Sequence, residues 1–365
     1  MKSLAIYYKN VNQETQTPEI GLHINLWKVE EGSWWHLHPS FYIDLGIMVP
    51  FCIEELKLYF PFRCEIEDNF DLGELLESRT LISTVFNDDY SPFHIEQNHC
   101  YHEIKKNNET HFYLYKLGAN NLTHKDYQEE GKNGSLIEIK NFSNIENAKD
   151  NKPRYIRFRL KITNVQEVVR SEHISNDLLQ AAFSKIDLFD IRINELREIH
   201  DKVHESALIE NFALCKFSKI HVFYMADTKE NIENGSSLKV DSRMLEDSQW
   251  ATYEPKSNLK GTTYIAHHWK QSMKDNTLID SFSLFFSSVY PSIDVWRLVA
   301  YFITVLFTGS LASLLMSELD KMFDTESYDW TNKKLIALMA MLVYIITYLL
   351  VTNFKFTKCK IERKR

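Results

Sequence analysis

Apolar and polar residues alternate with a period of two over much of the first 290 positions. Gly21–Glu30 (GLHINLWKVE), Ser40–Val49, Glu55–Arg63 (ELKLYFPFR), Thr80–Asn87, His111–Leu117, Ser135–Asn141 and Arg154–Thr163 place aromatic and β-branched residues at every second site. That pattern predicts strands with one face in a core. Turn clusters such as Glu31-Gly32-Ser33, Lys106-Asn107-Asn108 and Gly131-Lys132-Asn133-Gly134 separate them. Short helices are predicted at Asp71–Glu77 and at Asn176–Lys185, the latter capped by Ser175 or Asn176. A second set of strands follows at Leu188–Asn194, Lys219–Ala226, Thr262–Trp269 and Ser281–Val289, with loops expected at 231–237 and 254–261. Repeated short strands between turn signals predict a mainly β fold, antiparallel and sandwich-like, with a few short helices. The strand run pauses at 165–176. Two partitions stay open: a β-rich domain at 1–165 followed by a second β-rich segment at 166–292, or one continuous body.

The pattern changes at Leu298. From there to Met316 nineteen residues carry no charge, and from Leu335 to Phe354 twenty more carry none. At about 1.5 Å per helical residue each run is long enough for a bilayer core. A two-helix transmembrane hairpin over 293–354 is therefore expected, followed by a basic tail at 355–365. The tail holds six cations against Glu362, while the connecting loop 317–334 holds five acids and three lysines. Positive charge stays inside. The expected placement is a bacterial inner membrane, with both termini cytoplasmic and residues 1–292 as a cytosolic region. On the helices, Gly309 and Ser313 form a small-xxx-small pair suited to close packing. Thr304 and Thr308 mark a mildly polar face on the first run; Tyr344, Thr347 and Tyr348 mark one on the second. These seven residues are the candidates for pore lining or helix packing.

The chain carries a net charge of −8, and residues 1–297 carry −11. Non-specific coating of nucleic acid or anionic lipid is excluded by that balance, so any anion must meet a local basic patch. One such patch is legible in RYIRFRLKIT (154–163). Ile156, Phe158, Leu160 and Ile162 fall on one face of the strand, and Arg157, Arg159 and Lys161 on the other. This face reads either as solvated sheet paired with surrounding acids or as a groove for a phosphorylated ligand, which Arg grips bidentately. Fourteen histidines invite a metal, but His36/His38, His200/His204 and His267/His268 lack the converging partners that zinc needs. The nearest to a structural site is His99, Cys100 and His102, and no metal or cofactor is expected. The N-terminus MKSLAIYYKN has no apolar signal core, and five cysteines without paired spacing fit reduced thiols. No phosphate loop, nucleophile elbow or zincin motif is present, so an enzyme is not expected.

FYIDLGIMVPF (41–51), LKLYFPF (56–62) and the order of β-rich region before paired apolar runs resemble the membrane effectors of bacterial anti-phage defence, the Hailong-type component among them. The resemblance implies an ion channel controlled by an anionic nucleotide or DNA oligomer made by a partner nucleotidyltransferase. It ties no single residue to a family site. A pore from such hairpins implies a homo-oligomer of at least four chains in the bilayer, because two helices enclose no aqueous path. The alternatives are a membrane-tethered, non-conducting protein-binding module and a membrane-anchored enzyme of unrecognised class.

Overall fold

The structure is a computed structural model. It describes residues 3–10, 17–33, 36–67, 70–86, 88–93, 101–118, 121–129, 132–140, 151–173, 184–245, 250, 253, 264–292 and 295–324. In chain order the first strands are β1 (Ala5–Asn10), β2 (Ile20–Ser33), β3 (His36–Val49), β4 (Ile53–Phe60), β5 (Cys64–Glu65) and β6 (Ser91–Phe93). Next come β7 (Tyr101–Lys106), β8 (Glu109–Tyr115), β9 (Leu122–Glu129), β10 (Lys132–Ile139), β11 (Arg154–Ile162), β12 (Val169–His173) and β13 (Ser184–Ile193). The last are β14 (Ala213–Leu214), β15 (Phe217–Asp227), β16 (Asn231–Asn234), β17 (Val240–Met244), β18 (Tyr264–Ser272) and β19 (Phe282–Pro291). The expectation of a mainly β chain holds.

Three sheets result. The largest has ten strands in the order β17-β18-β15-β2-β3-β11-β8-β7-β6, with β5 added beside β11. A five-stranded sheet runs β14-β1-β4-β10-β9 and a four-stranded one runs β12-β13-β19-β16. Most pairs are antiparallel, but β15 with β2 and β11 with β8 are parallel seams. The large sheet is organised on the β2–β3 hairpin, paired without interruption from Gly21↔Met48 to Ser33↔His36. At the β7–β8 turn Asn107 and Asn108 take φ of 52° and 64°. Asn tolerates that left-handed region best among residues with a Cβ, and this two-residue turn follows the twist of the strands.

Alternation decides where the core lies. Leu22, Ile24 and Leu26 of β2, Ile43, Leu45 and Ile47 of β3, and Ile156, Phe158 and Leu160 of β11 point to one face. They share a single buried cluster with Ile6 and Leu58 of the five-stranded sheet and Phe189 and Phe286 of the four-stranded sheet. The opposite face of the large sheet is covered in part by the helix Arg79–Phe86 and by Trp250 and Tyr253. The helix Asp201–Ile209 closes the other face of the five-stranded sheet through Val203 and Ala207.

Several expectations are corrected. Of Thr80–Asn87, read as a strand because it is rich in β-branched residues, the part up to Phe86 is helical and Asn87 lies outside the described residues. Leu81, Ile82, Val85 and Phe86 recur at spacings of one, three and four, and they pack on the second face of the large sheet. Asp71–Glu77 contributes only a 3-10 turn at Leu75–Glu77. The loop expected at 231–237 contains β16, whose Asn231–Asn234 backbone pairs with β19. The helix expected at Asn176–Lys185 lies outside the described residues except for Ser184 and Lys185, which begin β13. Contacts group residues 1–172 and 186–290 into one compact unit, so both sides of the pause at 165–176 belong to it.

The second unit contains the 30-residue helix Val295–Asp324. Among the described residues no helix is long and apolar enough to cross a membrane. This overturns the placement in a bacterial inner membrane with cytoplasmic termini. The uncharged run is one stretch of a longer helix that also carries Arg297 near one end and Glu318, Asp320, Lys321 and Asp324 at the other. The second run, with Tyr344, Thr347 and Tyr348, and the basic tail lie outside the described residues. Thr308 donates its hydroxyl hydrogen bond to the carbonyls of Thr304 and Val305, and a Cβ built on Gly309 meets nothing within 4 Å. Ser313 is exposed. No helix packs against that small-residue pair within the described chain.

Phe189 tests the joint between the four-stranded sheet and the large one. Its ring stacks on Phe286 at 4.6 Å and meets Tyr224 at 5.0 Å and Phe41 at 6.0 Å. Phe189→Ala is expected to cost about 3–5 kcal/mol through the cavity it leaves. Urea unfolding followed by tryptophan fluorescence reads that loss, and a change under ~1 kcal/mol contradicts a shared core.

Candidate ligand-binding site

The second face of the large sheet is unusual because its centre is polar. Register aligns the residues in rows. One row runs Arg157, Gly46, His23, His221, Lys270 across β11, β3, β2, β15 and β18. The next runs Arg159, Asp44, Asn25, Phe223, His268, Asp241. The predicted division of β11 is observed, with Ile156, Phe158, Leu160 and Ile162 in the core and Arg157, Arg159 and Lys161 on this face.

The three cations have different fates. Arg159 is buried and forms a two-pronged ion pair with Asp44, from Nε to Oδ1 at 2.6 Å and from Nη2 to Oδ2 at 2.9 Å. Its Nη2 also donates to the Tyr253 carbonyl at 2.8 Å. Asp44 accepts a further bond from Trp27 Nε1 at 2.8 Å, so its oxygens are committed. Lys161 is a quarter exposed, 4.0 Å from Glu67. Arg157 is 1% exposed, and among the described residues no ion pair engages it. It donates from Nε to the Tyr253 hydroxyl and from Nη1 to the Tyr155 hydroxyl at 2.7 Å. With the Asn25 carboxamide oriented so that both its atoms are satisfied, its oxygen accepts from Nη2 at 2.6 Å and its nitrogen donates to the Ile24 carbonyl at 3.3 Å. A guanidinium has five N–H groups. Three are accounted for, leaving one N–H on each terminal nitrogen.

Gly46 makes room for this arrangement. A Cβ there would stand 2.0 Å from the Tyr155 hydroxyl and 3.1 Å from Arg157 Nη1. Because Tyr155 Oη accepts from Arg157, its own proton goes to His23 Nδ1, 3.2 Å away. That assigns His23 as a neutral imidazole protonated on Nε2. Burial, then the fields of His221 and Arg157, hold His23 well below the ordinary histidine range. His221 Nδ1 and His268 Nε2 share a hydrogen bond of 3.0 Å, and their rings lie 9° from parallel. Burial, followed by His268, Lys270 and Lys219, lowers His221 to about 4. Burial lowers His268 and His267 as well.

His23, Asn25, Arg157, His221 and His268 border a cavity of about 580 Å³, within the range of small-molecule sites. Its wall includes Phe223, Met225, Phe86, Leu245 and Trp250 as apolar surface. Its charged lining is Arg157, Lys219, Arg243 and Lys270 against Glu19 and Asp241, and Asp241 is paired with Lys239 at 2.7 Å. The lining of this cavity thus has an excess of cations in a chain whose net charge is −8.

Of the residues expected from sequence to bind a ligand, Arg157 lines the cavity, while Arg159 and Lys161 are not among its lining residues. His23, Asn25, His221 and His268 were missed, since they lie on three strands far apart in sequence. Their shared odd or even position within each strand was the available signal. His200 and His204 serve tyrosines instead, bonding Tyr127 at 3.3 Å and Tyr7 at 3.1 Å. His102 bonds Glu77 at 2.8 Å; His99 and Cys100 lie outside the described residues. Among the described residues no group of three His, Cys, Asp or Glu is arranged to hold a metal. Comparison with protein-family models and with curated proteins returned no match to the chain.

Two outcomes are expected from this geometry. Asp44→Asn removes the carboxylate paired with Arg159 and leaves a buried charge without a counter-ion among the described residues, a loss of about 3–5 kcal/mol. Equilibrium unfolding at neutral pH measures it; an unchanged midpoint refutes the pairing. The four lowered histidines predict acid sensitivity. Between an unfolded value near 6.5 and the folded value of about 4 for His221, the unfolded chain binds more protons than the folded one. Stability is therefore full above about pH 6.5 and falls as the pH drops towards 4. Denaturation midpoints from pH 7.5 to 4.5 check the slope, and replacing His221 with Phe is expected to flatten it.

Proposed function

We propose that the β body is a receptor for a small anionic ligand, a carboxylate or phosphate, held in the cavity with its charge against Arg157. The observation that carries this reading is a guanidinium buried without a counter-ion beside open space. An unpaired buried charge is costly, and proteins normally neutralise it by pairing. Here the nearby carboxylate is already committed to Arg159. The two remaining N–H groups lie on the terminal nitrogens, which form the fork that suits a carboxylate or phosphate. The neutral histidines add hydrogen-bonding capacity without adding charge, and the apolar wall offers room for the ligand's body. This reading retains the anion-sensing half of the effector suggested by resemblance. The pore half required spanning helices and is not carried with it.

Replacing Arg157 separates binding from folding. Each charge-assisted hydrogen bond contributes about 1.5–3 kcal/mol, so Arg157→Gln is expected to weaken binding of pyrophosphate by two orders of magnitude or more. The same change removes an uncompensated buried charge, so the ligand-free protein is expected to be no less stable. Calorimetric titration of wild type and variant, with a denaturation curve of each, gives both readouts. Equal pyrophosphate affinity in a folded variant rules out the assignment.

A further inference from the structure

We infer that the ligand is a two-ended anion, whose second negative group is met by Lys219 and Lys270 at the far end of the Arg157 row. This rests on the anion-receptor reading and specifies the ligand's shape.

The argument begins with register. Arg157 and Lys270 stand at opposite ends of one row that crosses five strands, and between them lie only Gly46, His23 and His221. Four strand spacings separate their backbones by roughly 19 Å, less whatever the two long side chains reach inward. Lys219 lies two residues before His221 on β15, on the same face of the sheet. Both lysines depress His221, which places their charges close to its ring. Both line the cavity and are exposed, and among the described residues neither has an ion pair. The middle of the row is different. His23 accepts from Tyr155 at Nδ1 and so carries its proton on Nε2, and His221 is tied to His268, so the stretch between the cationic ends is neutral and polar. Phe223, stacked on His268 at 4.2 Å, adds a flat apolar surface beside it.

The carboxylates at the cavity limit the other possibilities. Asp241 belongs to the neighbouring row and is held by Lys239. Glu19 precedes β2 and shares the lining with Lys219. Among the described residues it forms no ion pair with Arg157 or with either lysine. One cationic pole is therefore deep, and the other is open at the surface. A ligand with one anionic group fills only one of them. An elongated ligand with anionic groups at both ends and an uncharged middle matches the whole row.

Chain length tests this. Linear α,ω-alkane bisphosphonates with about two to twelve methylenes are titrated into the full chain beside propylphosphonate. Linked binding peaks when the linker matches the span. Affinity is expected to pass through a maximum at an intermediate length, about tenfold or more above the monophosphonate. Lys219→Gln with Lys270→Gln, both exposed positions, is expected to abolish that advantage, the variant binding no bisphosphonate more tightly than it binds propylphosphonate. If no bisphosphonate binds more tightly than propylphosphonate, and Arg157→Gln still abolishes propylphosphonate binding, the two-ended ligand is overturned and the single-anion receptor stands. If wild type binds none of these phosphonates, both readings fall.

Discussion

Asp44 carries one negative charge, and the strand beside it presents two buried guanidinium groups to the same face. The ion pair with Arg159 uses both carboxylate oxygens, and Trp27 takes a further bond to one of them. Arg157 is left with phenols and a carboxamide. These satisfy three N–H groups but offer no charge. The arrangement of the large sheet's second face follows from that imbalance. Gly46 clears space for Tyr155, Tyr155 orients His23, and His23 and His221 resist a further proton first because they are buried and then because the guanidinium and the lysines repel it.

The sheet can hold this cluster because its other face does the conventional work of folding. Branched and aromatic residues from three sheets converge there in one buried cluster. Their burial, at roughly 25 cal/mol per Å² of apolar surface, is large against the few kcal/mol that an unpaired charge costs. Such a core tolerates a local electrostatic debt. In the proposed anion receptor the second face is where that imbalance would serve binding, since a ligand that brings negative charge relieves it. Site and scaffold thus share β2, β3, β11 and β15 but use alternate residues of each.

A contrasting cluster shows what complete compensation looks like. Lys28, also on β2 but facing the other way, is buried with Asp187 and Glu230 at 3.0 Å each, and its ammonium sits 3.3 Å from the Tyr290 ring centroid. Ser171, Tyr224, Ser288 and Tyr290 bond the carboxylates. Nothing there is left for a ligand. The difference between the two clusters is the count of carboxylates and not the depth of burial.

Period-two alternation was enough to read the mainly β character and the two faces of β11, because side-chain direction in a strand depends only on parity. It placed Arg157, Arg159 and Lys161 on one face without distinguishing among them. It misread Thr80–Asn87, where β-branched residues suit a strand locally and the packing of Leu81, Ile82, Val85 and Phe86 on the large sheet favours a helix. Uncharged length alone suggested membrane spans, and among the described residues no helix meets the combined requirement of length and apolarity. What alternation could not supply was partnership. Whether Arg157, Arg159 or Lys161 is free depends on which strand lies beside β11 and in what register. A shift of one residue in β3 would have moved Asp44 to the other face. His23 came within reach of Arg157 through the pairings of β2 and β11 with β3, and His221 and His268 joined them only through the parallel pairing of β2 with β15, a contact between residues nearly 200 positions apart. Composition and parity determined which residues face which way; tertiary pairing decided which charges meet, because Coulombic and hydrogen-bond energies depend on distances that no local pattern encodes.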